Sequence, residues 1–216
     1  MRDRPLEVVL YHDVLCAWCL LADSRLSILR EEYGDSVSFS YRAYPIRPDE
    51  EAPNTRERRV LARHYRRVAR EPEGAGVVPD LWLGNDAPAS TMAPLVALEA
   101  ARLQGPRRRE ELLLALRDAA FRRGINVTRR DVLIELAGQV GLRADHFLAA
   151  LGARATEEAV RADCAEGVAR GVRGVPALIL GGDWLVAGAR GLSEYRDIFS
   201  RYLSQRGGAV EGRLLH

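Results

Sequence analysis

A βαβ unit near the start of the chain, a ββα unit near its end and a long helical block between them predict an α/β fold with an all-helical insertion. Three observations carry this. Residues 6–11, LEVVLY, form a nearly continuous apolar run, and apolar residues then recur at helical spacing. Residues 55–171 are dominated by Ala, Leu, Glu and Arg and show helical periodicity. PALIL and WLVAG flank Gly181-Gly182-Asp183, the pattern of a hairpin with a short glycine turn.

In order along the chain, LEVVLY is rich in β-branched residues and suits a central strand buried on both faces. Leu15, Cys19, Ala22, Leu26, Leu29 and Tyr33 mark one face of a helix that begins near Cys16 and stops at Gly34. In VSFSYRAY, Val37, Phe39 and Tyr41 alternate with Ser38, Ser40 and Arg42, as in a strand with one face to the core. Residues 45–54 hold three prolines and read as an exit loop. Breaks at Pro72, Gly105-Pro106, Gly124 and Gly141 then divide the helical block into five or six helices, with 72–90 irregular and Thr128 the expected N-cap before Asp131. A last helix is expected over 192–205, and residues 206–216 are expected to be a mobile tail. The strand after Pro176 is expected beside the first strand, which brings the helix start at Cys16 near the Val175-Pro176 corner.

The composition narrows the chemistry. The chain has 216 residues, 32 basic and 30 acidic, and every basic residue is arginine. Without lysine there is no Schiff-base amine and no phosphate-loop amine, which excludes pyridoxal enzymes, P-loop NTPases and kinases. Four histidines, none paired at metalloprotease spacing, disfavour a histidine-built zinc hydrolase. A net charge of +2 gives no basic excess for nucleic acid, and no run of 18 apolar residues predicts a membrane span. The N-terminus shows no signal-peptide pattern, so a cytoplasmic location is expected. Three cysteines in a reducing compartment point to catalytic, metal-binding or buried thiols rather than a disulfide framework.

Cys16 and Cys19 lie at the strand-to-helix junction, three residues apart and within one helical turn. Unpaired N–H groups at a helix start favour a thiolate, which makes Cys16 the expected attacking sulfur. Cys19, a turn deeper on the apolar face, would resolve a mixed disulfide. A zinc site would need Cys164, His12 or Asp13 as further ligands, and there is no second Cys-x-x-Cys, so no metal is expected. Cys164 reads as a small helical hydrophobe, His64 as a surface residue, and Trp82, Tyr44 and Met92 as core or groove-lining residues.

Asp13-Val14-Leu15-Cys16-Ala17-Trp18-Cys19, together with Gly171-Val172-Arg173-Gly174-Val175-Pro176 before a strand and a Gly-Gly turn, resembles the DsbA family of thioredoxin-fold proteins. The similarity is to its cytoplasmic, bacterial frenolicin-type branch, which is related to 2-hydroxychromene-2-carboxylate isomerases. The resemblance implies a thioredoxin-like domain of residues 1–50 and 171–205, with an inserted helical domain over 51–170 that includes the crossover helix. It implies a cis peptide between Val175 and Pro176 facing the cysteines, with Trp18, Val175 and Pro176 meeting the substrate. It further implies a protein disulfide oxidoreductase that needs no cofactor beyond a thiol redox partner, such as a thioredoxin system or a low-molecular-weight thiol. The substrate would be a protein or small-molecule thiol or disulfide, and the protein a monomer or homodimer. Ala17 stands where the branch usually has proline. Leu10 stands where thioredoxins carry a buried acid, which leaves His12 and Asp13 as the candidates for tuning the dithiol. Two other readings remain: a glutathione-dependent isomerase or transferase of the kappa type, and a redox-inactive peptide- or metal-binding module.

Overall fold

The structure is a computed structural model that describes residues 4–49 and 51–211, with 206–211 as backbone alone. Four strands form one mixed sheet in the order β2-β1-β3-β4. Strand β1 (Leu6–His12) runs parallel to β2 (Val37–Ala43) and antiparallel to β3 (Ala177–Leu180), which pairs with β4 (Trp184–Ala187). With partners on both sides and cover on both faces, β1 buries six of its seven side chains, as its apolar run requires. Glu7 alone is exposed.

Helices α1 (Ala17–Tyr33) and α9 (Leu192–Glu211) contribute to the core on one face of the sheet, where Leu6, Val8, Leu10 and Leu178 meet Leu26, Leu29, Tyr195 and Phe199. On the other face Val9, Tyr11, Ala177 and Ile179 pack with Val172. Helix α8 (Arg154–Ala169) crosses this face so closely that a Cβ at Gly167 would lie 2.7 Å from the Tyr11 ring. We therefore expect Gly167→Val to cost about 2 kcal/mol or more by overpacking against a ring that is fully buried. Gly138→Ala, in an exposed helical position with nothing within 4 Å, should gain up to about 1 kcal/mol. Urea midpoints of the two variants test the contrast.

Between β2 and β3 lie α2 (Thr55–Val68), α3 (Asp80–Leu83), α4 (Met92–Arg102), α5 (Pro106–Arg117), α6 (Arg130–Gln139), α7 (Ala144–Leu151) and α8. Among the described residues that is seven α-helices rather than five or six. The four-residue α3 falls in the stretch expected to be irregular, and Gly152 separates α7 from α8. Thr128 does not cap α6: its backbone N–H and hydroxyl both donate to Asn126 Oδ1, and the cap position falls to Arg129. Helix α9 continues beyond the expected stop at 205 to Glu211, and residues 212–216 of the expected tail lie outside the described residues. The largest core cluster joins the block to the dithiol turn, since Val14, Leu15, Ala17 and Leu21 pack with Tyr65, Trp82, Leu95 and Phe121. Trp82 is thus a core residue and does not line a groove. Among the described residues no helix is long and apolar enough to cross a membrane.

Candidate active site

Strand β1 ends at His12, and Asp13 turns the chain into α1. Its Oδ1 accepts the Leu15 N–H at 2.7 Å, an Asx turn, and its Oδ2 accepts the Ile46 N–H at 2.8 Å. Cys16 then occupies the N-cap of α1 in an extended conformation, and its sulfur accepts the Cys19 N–H at 3.3 Å. A backbone donor aimed at this sulfur stabilises negative charge there. Ala17 points into the helical core and is 3% exposed.

Cys16 Sγ also donates to the Val175 carbonyl at 3.5 Å, so the two motifs 159 residues apart meet at one point. The Val175-Pro176 bond is cis, and Pro176 is buried at the start of β3, with its carbonyl accepting from Gly188. Tyr44 and Val175 both pack against the Val9, Tyr11 and Ile179 cluster on the same side of the sheet. Cys19 is fully buried behind Cys16. Burial pushes its thiol well above the usual range, and the neighbouring Cys16 pushes it further; the Asp13 backbone N–H and the Arg117 guanidinium act in the opposite direction.

His12 and Asp13, the candidates for tuning the dithiol, are both fully buried. His12 Nε2 lies 3.1 Å from Arg109 Nη2. Because a guanidinium only donates, Nε2 accepts and Nδ1 carries the proton. Burial, then Arg109 and Arg117, hold His12 well below its usual pKa, so it is neutral. Its Nδ1 has no partner in the described structure. Burial raises the Asp13 carboxyl to about 6, against hydrogen bonds from Thr91, Ile46 and Leu15 and the charge of Arg117.

The helical block supplies groups that periodicity gave no reason to single out. Tyr65 donates its hydroxyl to the Leu15 carbonyl at 2.9 Å, and half-buried Trp18 donates its Nε1–H to His64 Nδ1 at 3.0 Å. His64 is therefore a partner of Trp18, one of the two residues between the cysteines, rather than a free surface histidine. Cys164 sits half-buried on α8, and burial raises its thiol. Among the described residues no three His, Cys, Asp or Glu side chains stand together as metal ligands would.

A sheet of this order, a cysteine capping the first helix, a second cysteine one turn in and an X-Pro corner facing them define a thioredoxin-type dithiol protein. The model of the DSBA-like thioredoxin domain matches residues 7–200, and the chain belongs to that family. Membership supports an oxidoreductase.

A curated relative is a ClpXP adapter protein, SpxH, of Halalkalibacterium halodurans, 31% identical over 169 residues that make up 75% of this chain and 54% of the relative. The chain thus spans about half the length of the curated relatives it matches. Among solved structures, a candidate protein disulfide isomerase from Nitrosomonas europaea superposes with a TM-score of 0.83 at 18% identity, covering 93% of this chain and 98% of that one. The cytosolic disulfide reductase DsbM from Pseudomonas aeruginosa, also solved with glutathione (GSH), follows at 0.68 and 19%, with the same coverage. A 2-hydroxychromene-2-carboxylate isomerase reaches 0.66 at 20%, covering 94% and 98%. At these identities the solved structures speak for the fold.

Proposed function

We propose that the protein is a cytoplasmic thiol–disulfide oxidoreductase acting through Cys16-Ala17-Trp18-Cys19. The observation that carries this is Cys16 itself, a capping sulfur that accepts a helix N–H and faces the Val175 carbonyl, with Cys19 sealed behind it. In the reductive direction the Cys16 thiolate attacks a substrate disulfide R–S–S–R′ and forms Cys16–S–S–R as R′S⁻ leaves and takes up a proton. Cys19 then loses its proton and attacks Cys16 Sγ. The Cys16–Cys19 bond forms and the second thiol, RSH, departs. Two electrons pass from the dithiol to the substrate, and a thiol partner restores the dithiol.

In this reading Trp18, Val175 and Pro176 border the substrate, the Val175 backbone lying against the attacking sulfur. Asp13 receives the Cys19 proton. Neutral His12 orients the strand end through Arg109 and carries no charge to the cysteines. The likeness to a disulfide reductase solved with glutathione supports a low-molecular-weight thiol as the redox partner.

The Cys19→Ser variant tests the reading. It should accumulate stable mixed disulfides at Cys16 with glutathione or protein thiols, visible by mass spectrometry and lost on reduction. A variant that stays unmodified under oxidising glutathione sinks the proposal.

Two observations favour other readings. The isomerase likeness would be supported by glutathione-dependent isomerisation of an aromatic acid with insulin reduction at background. The adapter relatives would be supported by a binding activity that survives loss of both cysteines.

A further inference from the structure

The helical block sends one fully charged side chain to the back of the dithiol. Asp23 lies on α1 four residues after Cys19, hence one turn away on the same helix face. Arg117, the last residue of α5, bonds Asp23 Oδ2 through Nη1, which ties its guanidinium to the face of α1 that carries Cys19. The anchor is itself fixed, because Tyr41 donates its hydroxyl to Asp23 Oδ1 at 2.7 Å and Arg30 donates to Tyr41 at 2.9 Å.

Arg117 is 3% exposed, and a guanidinium does not shed its charge at any physiological pH. Asp23 uses only Nη1. The other edge, Nε and Nη2, is the fork that suits an acceptor approached side-on, and both atoms are buried without a partner in the described structure. Leaving charged donors unmade in the interior is costly, so they point to an acceptor that arises in another state of the protein. The groups nearby contain one that exchange chemistry turns into such an acceptor.

We propose that Arg117 is the buried cation of the dithiol site, a positioning residue that holds the negative charge thiol exchange places on Cys19 Sγ. This rests on the redox reading above and supplies, from the inserted block, what a lysine-free chain cannot obtain from an ammonium. Arg117 acts during resolution, when Cys19 Sγ has lost its proton but has not yet formed its bond to Cys16 Sγ.

Cys16, the Asp13 backbone N–H and the Arg117 guanidinium all act on Cys19, and Tyr195 of α9 feels it in turn; of these groups Arg117 carries the positive charge. Asp13 and His12 feel the same guanidinium. Arg109, the other buried arginine of α5, is directed to His12 and the Tyr41 ring instead.

The test loads Cys16 of the full chain with thionitrobenzoate and follows the rate at which Cys19 expels it across pH. We compare wild type, Arg117→Met and Arg117→Lys. Arg117→Met should shift the rate profile to higher pH by about one unit, about a tenfold slower release at fixed pH, and Arg117→Lys should recover most of it. A folded Arg117→Met that follows the wild-type profile overturns the proposal, and so does an Arg117→Lys as slow as the Met variant. If Arg117→Met does not fold, Arg117→Met/Asp23→Asn, which leaves no buried carboxylate unpaired, is read by the same criteria. If wild type itself fails to expel the group, the redox reading falls instead. The carbon-13 shift of a labelled Cys19 Cβ against pH then still decides for or against Arg117 by the same displacement.

Discussion

Cys16→Ser is expected to lower dithiothreitol-driven insulin reduction at least about 10³-fold, to the rate without protein. The reason is chemical. A serine hydroxyl in this N-cap can accept the Cys19 N–H as the sulfur does, so the fold of the turn survives, but it is no nucleophile towards a disulfide near neutral pH. Cys19 cannot substitute, because it is fully buried and burial pushes its thiol well above the usual range. Cys164→Ser serves as the comparison, since Cys164 stands on α8 with its thiol raised by burial and takes no part in the site; its activity should match wild type. Retained insulin reduction in Cys16→Ser would remove Cys16 from the attacking role.

The second large effect concerns stability against pH. Asp13 titrates near its usual value of 3.8 when unfolded and at about 6 when folded, because burial is its largest influence. Between those values the folded state binds more protons than the unfolded state, so unfolding free energy falls as pH rises from about 4 to about 6 and is level above. The loss attributable to this one carboxyl is about 3 kcal/mol. Carboxylates held low by arginine partners, such as Glu73 beside Arg25, have the opposite sign and lose stability as pH falls.

Subtracting an Asp13→Asn variant isolates the one group. Its fixed cost, one N–H of Leu15 or Ile46 left facing an amide, does not vary with pH. Urea denaturation at several pH values should therefore show wild type losing ground to Asp13→Asn between pH 4 and 6 and running parallel above. Parallel curves throughout would show that Asp13 is not desolvated in the folded protein.

Much of the fold was legible in the sequence. LEVVLY reads as a doubly covered strand because no polar position interrupts it except Glu7, and the one-turn spacing of Cys16 and Cys19 follows from helix geometry alone. The Gly-Gly turn and its flanking strands are equally local. Where local signals misled, a competing partner explains the miss. Thr128 looked like a cap because it precedes an acidic first turn, yet Asn126 two residues earlier captures both its donors. His64 looked like a surface residue among arginines, yet it takes the indole N–H of Trp18, 46 residues away.

Sequence by itself determined the elements, the dithiol at a helix start, the absence of any lysine and the likeness to the DsbA family, because each is written in neighbouring residues or in short motifs. Only the tertiary structure decided the electrical setting of the dithiol. Asp13 is raised because burial removes its water, and His12 is neutral because burial, with Arg109 reaching it across 97 residues of chain and Arg117 beside it, disfavours its charged form. Arg117 lies beside Asp23 although 94 residues separate them. Burial and charge act through space over a few ångströms, and no spacing along the chain records which distant side chains packing will bring within that range.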